Sequence, residues 1–273
     1  MKKSIGLLVL CVLIVLMAAC GPSRGSQGSD AKISTLDRIK ESGKLRVGTS
    51  LGGPPIAFRD DSGKPRGYDV DWAEKMAELL GVEVEWVEVD GDTRITSLIA
   101  GRVDVVFNNI TGNLARAQRI NFSIPYLQCG IKMLVRAGLP YKKIEDLNDP
   151  RVKVVVGRGT TGEELVLAYA PKAQIVNVPN FTDSVLQLQT GKADASFEDN
   201  TIVDYAAKQS GGVLVAPEGL YSSDPICIGL PKGDLEYVRW VDMFVSWMIT
   251  QGWQAEIYEK WWGEPPAPLK SLW

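Results

Sequence analysis

Short, nearly continuous apolar runs that alternate with helical patterns constrain this chain more than any other feature. Residues 103–107 and 152–156 read as strands buried on both faces, because a strand with one wet face would alternate apolar and polar residues. Strands of that kind need helices on both sides. The expectation is an α/β fold built on mainly parallel sheets.

The order of elements then suggests two lobes. Residues 45–48 form a first strand, with a turn-rich loop over 49–55 at its carboxyl end. A helix starts near Gly67, carries Asp69 and Asp71 at its positive end and stops at Gly81. A strand over 82–89 and a short helix over 93–100 lead to the strand over 103–107. The Asn and Thr residues after it open a short helix that carries Arg116. After a strand over 130–135 a second series begins, with strands over 152–156, 174–178, 193–197 and 213–216 and helices over 161–169, 184–189 and 202–209. Extended segments near Tyr126 and Ile226 join the two series. Residues 234–263 read as helical, and Trp253, Tyr258, Trp261 and Trp262 are expected to pack against the body of the lobe.

Export is expected from the amino terminus. Lys2 and Lys3 precede an apolar stretch over 5–17, too short for a comfortable membrane span but suited to a signal peptide. Leu16-Met-Ala-Ala-Cys20 resembles a bacterial lipobox, which would make Cys20 the lipid-bearing first residue of the mature chain. Residues 1–19 are then the signal, and 20–34 the lipidated cysteine and a flexible tether. The expected location is the cell membrane on its outer or periplasmic side, reached only through the lipid.

Composition narrows the chemistry. The net charge of −3 is spread without a basic block, so nucleic acid is not an expected partner. Histidine is absent, which excludes Ser-His-Asp and Cys-His catalysis and every His-ligated metal site. Cys129 and Cys227 remain in the mature chain, either as a disulfide or as two buried thiols. Gly157-Arg-Gly-Thr-Thr-Gly162 matches a dinucleotide fingerprint. The strand that follows lacks the acid that would hold a ribose, so no cofactor is expected.

Ligands of open parallel sheets bind beyond the carboxyl ends of the strands. There the first series offers residues 49–55, Asn109, Thr111 and Arg116, and the second offers residues 157–162, Glu198 and Asp199. Arg116 facing Asp199 across a cleft suits a zwitterion, carboxylate to the guanidinium and ammonium to the acid. An Asp of ordinary pKa, ~3.9, needs no tuning for that pairing.

The stretch Gly67-Tyr-Asp-Val-Asp-Trp-Ala-Glu-Lys-Met-Ala-Glu-Leu-Leu80 resembles the signature of the solute-binding proteins of polar amino acid ABC transporters. Leu45-Arg-Val-Gly-Thr, Thr111 to Tyr126, Gly159-Thr-Thr161, residues 191–199 and Lys260-Trp-Trp-Gly263 extend the likeness over nearly the whole mature chain. Trp72 stands where the family has a smaller apolar residue. The resemblance implies a two-lobed flytrap fold, with residues 35–127 plus 231–273 as one lobe and 128–230 as the other. It implies a monomer that closes on one L-amino acid and then docks on a membrane permease. By position, Arg116 would take the α-carboxylate with Thr111 and Thr161, while Asn109 and Asp199 would receive the α-ammonium. Arg94 stands where glutamate and aspartate binders carry an arginine, unless it merely pairs with Asp92. Ser50 replaces a second basic residue, and Gly53 the aromatic of basic-amino-acid binders. Glutamate, aspartate or glutamine is the expected ligand, without catalysis. The alternatives are a cyclohexadienyl dehydratase-like enzyme using Glu198 as an acid, and a ligand-sensing receptor.

Overall fold

The computed structural model describes residues 34–269. Cys20 and the segment read as signal and tether lie outside the described residues. Alternation along each strand explains the layering. In β1 (Lys44–Thr49) and β6 (Val105–Thr111), Val47, Val105 and Phe107 share a core with Ile39 of α1 (Thr35–Ser42) and with Tyr68, Trp72 and Met76 of α2 (Tyr68–Leu80) on one side. Val106 and Ile110 face the other, with Ile95 and Leu98 of α3 (Arg94–Ile99). Helices therefore cover both faces of the sheet, as the apolar runs require.

The first sheet has the order β5-β1-β6-β14-β7, with β8 also on β14. β5 (Glu83–Glu88) and β6 run parallel to β1. β14 (Asp224–Leu230) runs antiparallel to β6, to β7 (Asn121–Phe122) and to β8 (Leu127–Cys129). The second sheet has the order β11-β10-β12-β9-β13. Here β10 (Lys153–Gly157) lies parallel to β11 (Gln174–Val178) and β12 (Ala195–Asp199), while β9 (Ile131–Arg136) is antiparallel to β12 and to β13 (Leu214–Val215). A small third sheet of β2 (Gly52–Gly53), β3 (Ala57–Arg59) and β4 (Pro65–Arg66) sits in the loop after β1. Two lobes of mixed sheet flanked by helices make the flytrap fold.

The crossings between lobes are made by paired strands. β8 hands the chain to β9 through Gly130, where a Cβ would lie 2.3 Å from the Ser222 carbonyl oxygen. The returning chain enters β14, whose Asp224 pairs with Cys129. Residues 224–230 thus belong to the first sheet, although the sequence division at 230 set them with the second lobe; their partner β6 is more than a hundred residues away. Three further boundaries move. β6 runs on to Thr111, because Ile110 and Thr111 continue the ladder with β14, and the short helix α4 (Leu114–Ala117) is opened by Asn113 instead. The helix after β11, α6 (Phe181–Gln189), starts at its Asn180 cap. The carboxyl-terminal helix is two, α8 (Leu235–Thr250) and α9 (Trp253–Trp262), separated where Gly252 takes φ +82°.

The aromatic cluster packs as expected. Trp72 is fully buried against Tyr68, Tyr126 and Phe244, so the large residue fills core space, and Trp262 stacks on Tyr258. The Trp262 indole N–H also donates to the Thr201 carbonyl at 3.1 Å, which ties α9 to α7 (Asn200–Gln209) of the second lobe. Cys129 and Cys227 are buried free thiols, so the disulfide alternative does not hold. Among the described residues no helix is long and apolar enough to cross a membrane.

Asp69, in the first turn of α2, is fully buried and joins three parts of the first lobe. Its Oδ1 accepts from the Tyr126 hydroxyl at 2.5 Å and its Oδ2 from the Asn109 backbone N–H at 2.8 Å. Burial raises its pKa to about 6, against the two hydrogen bonds that lower it. The sign follows from linkage. A carboxyl raised in the folded state contributes stability that is present below its unfolded pKa, near 4, and lost as pH rises through about 6. The difference in unfolding free energy between wild type and Asp69→Asn should therefore shift against wild type by up to about 3 kcal/mol from pH 4 to pH 7, read by urea denaturation across that range.

Candidate ligand-binding site

The carboxyl ends of β1, β6, β10 and β12 converge on one cavity between the lobes. Ser50, Gly53, Arg94, Asn109 and Thr111 line it from the first lobe, and Thr161, Glu198 and Asp199 from the second. Among the described residues no cluster of acidic or thiol side chains is placed to hold a metal ion.

One end is rich in donors. Thr160 caps α5 (Thr161–Tyr169), its hydroxyl oxygen accepting from the Glu163 N–H at 3.2 Å. The N–H groups of Thr161 and Gly162 belong to the first turn and have no carbonyl within the helix to reach. Thr111 and Thr161 both line the cavity, one from each lobe. Arg116 is buried just behind it, 7% exposed, held on α4 by the Asn113 cap. Its Nη1 donates to the Thr111 carbonyl at 3.0 Å and its Nη2 to the Gly159 carbonyl of the other lobe at 3.1 Å. Of the eight ligand positions expected from the sequence, Arg116 alone is not on the cavity surface.

The other end is rich in acceptors. Asn109 takes φ +44°, a left-handed conformation that asparagine tolerates better than most residues. Asp69 holds its backbone N–H from behind. Its side-chain Nδ2 donates to Asp199 Oδ2 at 2.6 Å across the cleft. Two acceptors stay unpartnered and buried, Asn109 Oδ1 and Asp199 Oδ1. Burial first, then the carboxylates of Glu198 and Asp224, push the Asp199 carboxyl well above the usual range, so the ordinary value expected from sequence is corrected. No cation is ion-paired to Asp199 among the described residues.

Arg94 and Glu198 line the same cavity. Arg94 is 5% exposed; its Nη1 donates to the Asn108 carbonyl at 2.9 Å and its Nε has no partner. Burial and the charge of Arg116 lower its pKa to about 10, which leaves it charged at neutral pH. It makes no ion pair with Asp92 among the described residues, so that reading of Arg94 is set aside. Glu198 is partly buried, and desolvation raises its carboxyl. The sequence reading missed Asp69, taken only as a helix-terminus acid, and Asn180, which lines the cavity at the carboxyl end of β11. The strand-end rule that found Asn109 would have found Asn180.

The lobes touch across the cleft through backbone. Thr182 Oγ1 donates to the Gly52 carbonyl at 2.9 Å. Gly91 lies so close to the loop after β10 that a Cβ there would be 2.6 Å from the Arg158 carbonyl oxygen. Gly91→Ala should therefore resist full closure while removing no polar group: ligand affinity should fall about tenfold, and X-ray scattering of the ligand-saturated variant should show a larger radius of gyration than wild type.

A cleft with donors at one end, unpartnered acceptors at the other, and hinge strands behind it defines a two-lobed solute receptor of the periplasmic-binding type. Residues 45–264 match the bacterial extracellular solute-binding proteins, family 3, and the chain belongs to that family. It is 30% identical to the ABC transporter glutamine-binding protein GlnH of Bacillus subtilis (strain 168), over 98% of this chain and 100% of that one. It is 31% identical to the L-cystine-binding protein TcyJ of Escherichia coli (strain K12), over 92% of this chain and 94% of that one. Among solved structures, the ancestral amino acid-binding protein AncCDT-1, a precursor of cyclohexadienyl dehydratase, superposes with TM-score 0.79 at 36% identity, covering 84% of this chain and 99% of that one.

Proposed function

We propose that this chain is the lipid-anchored receptor of an amino acid ABC importer, which captures one polar L-amino acid, glutamate, aspartate or glutamine, and hands it to a membrane permease. The observation that carries this reading is the pair of unpartnered acceptors, Asn109 Oδ1 and Asp199 Oδ1, set across from the Arg116 and α5 end. An ammonium offers three donors and would answer both acceptors. An α-carboxylate would take the first-turn N–H groups of α5, the Thr111 and Thr161 hydroxyls and the charge of Arg116. Arg116 Nη2 would exchange the Gly159 carbonyl for the carboxylate. Ser50 and Gly53 place neither a second cation nor a stacking ring at their own positions. Because each end is built by groups from both lobes, the ligand binds the closed state better than the open one and shifts the population toward it. The anchor would be Cys20, and the receptor would act as a monomer.

Calorimetric titration of the purified protein, unfolded and refolded to strip carried ligand, tests the reading against the L-amino acids one at a time. Arg116→Ala should weaken the amino acid that binds by about 100-fold, since it leaves a buried carboxylate without its cation; an unchanged dissociation constant would remove Arg116 from the site.

Protons should move as well. An ammonium beside Asp199 favours its carboxylate form, so the raised pKa falls on binding and a proton leaves. The binding enthalpy at neutral pH should differ between phosphate and Tris buffers in the sense of proton release, and affinity should weaken as pH falls. Identical enthalpies would show that Asp199 is already ionised.

One observation favours a second reading, an enzyme on the same scaffold. The raised carboxyl of Glu198 stands at the cavity wall, as a proton donor would. Turnover of prephenate or arogenate by the purified protein decides between the two.

A further inference from the structure

The amino acid reading leaves the ligand's side chain open among acidic and amide types, and any choice between those types rests on that reading. Taken alone, Arg94 argues for an acidic side chain. The structure adds Glu198 to the same cavity wall, from the other lobe. Each side chain lies in the other's field, Glu198 favouring the charged form of Arg94 and Arg94 that of Glu198. Yet no ion pair within 4.0 Å joins them among the described residues. They stand at one space without closing it.

Their bonding capacities are complementary. Arg94 has donors only, and after Nη1 is used on the Asn108 carbonyl its Nε remains unpartnered. Glu198 Oε1 accepts from the Asp199 N–H at 3.3 Å, which leaves Oε2 to accept from an incoming group. A primary amide presents a carbonyl oxygen and an NH₂ from one carbon, so it can accept from Arg94 and donate to Glu198 together. A carboxylate would answer Arg94 and meet the charge of Glu198. An ammonium or guanidinium would answer Glu198 and meet the charge of Arg94.

The charge of the whole site points the same way. Arg94 on the cavity surface and Arg116 behind it stand against Glu198 and Asp199, and no further charged residue lines the cavity among the described residues. A zwitterion with a neutral side chain keeps that balance; an acidic or basic one brings a buried charge with no counterpart.

We propose that Arg94 and Glu198 together read one carboxamide, so that the site takes an amide-bearing L-amino acid, glutamine or its shorter homologue asparagine, and rejects acidic and basic ones. Glu198 is then a specificity-determining residue, and it acts by excluding glutamate as much as by holding the amide.

The test is calorimetry of wild type and Glu198→Gln with L-glutamine, L-asparagine, L-glutamate and L-aspartate at pH 7.5. Wild type should bind one of the two amides at least 100-fold tighter than the matching acid. Glu198→Gln should weaken that amide about tenfold and strengthen the acid at least tenfold, so that the preference narrows or inverts. Arg94→Gln should weaken both. An acid bound more tightly than its amide by wild type, or a ratio that Glu198→Gln leaves unmoved, would overturn the inference while leaving the receptor reading intact. If Glu198→Gln does not fold, the wild-type ratio alone decides. No heat from any of the four with either protein would bring down both readings.

Discussion

A buried carboxylate without a cation of its own sets the terms for this structure. Asp199 is 2% exposed, and among the described residues it has the Asn109 amide but no ion-pair partner. Leaving such a charge in a protein interior costs several kcal/mol, and a raised pKa is the milder outcome. The surrounding architecture serves to hold that unfavourable group in place. Asn109 is bent into a left-handed conformation to reach it, Asp69 fixes the Asn109 backbone, and Tyr126 at the crossing to the second lobe fixes Asp69. Because Asp199 and Asn109 come from different lobes, the cost is relieved only by something that enters between them. A cation entering there would meet a group that the fold has left wanting one.

Much of the fold could be read from the sequence because its strongest signal is local. Strands at 152–156 and 174–178 and the helix at 161–169 stand out by composition and period, and the structure holds them within a residue of where the pattern set them. What was not legible is pairing across long separations. Residues 224–230 carry no mark that they leave the second lobe to join β6, since strand order is set by the whole chain's packing and not by the strand's own residues. The extension of β6 to Thr111 escaped for the same reason: Asn and Thr favour turns and caps on their own, and the ladder with β14 overrides that preference. Gly252 could have been read as a break between two helices, as glycine in a left-handed conformation commonly is.

The site was legible as a set of positions and less so as chemistry. The strand-end rule and the family likeness collected Ser50, Gly53, Arg94, Asn109, Thr111, Thr161 and Asp199, and all of them line one cavity. Arg116 was chosen by charge and position, and neither reports depth; it sits behind the wall with backbone carbonyls on two of its nitrogens. Asp69 looked like an acid at a helix start because sequence shows which end of a helix a residue occupies but not what covers it. The pKa of Asp199 was misjudged on the same ground. Desolvation depends on everything packed around a group, and nothing in residues 193–199 alone declares that the strand end will be sealed by the opposite lobe.

Closure itself explains why so few side chains can carry selectivity here. At Gly52, Gly91 and Gly159 the facing lobes approach so closely that any Cβ would strike the opposite side, Asn180 in the first case and backbone in the other two. These approaches narrow the rim with groups that are the same for every ligand. Discrimination is then left to the groups that remain inside after closure. The narrower the space around a ligand, the less hydration can rescue a mismatched charge, whereas in an open cleft it can. A wall bearing one cation and one anion is therefore a sharper filter when shut than a wall bearing a cation alone. The lone arginine would tolerate a neutral ligand at modest cost, while the opposed pair penalises a net charge of either sign. Selectivity in such a receptor comes from the closed state, and the residues that grant closure share in it without touching the ligand's side chain.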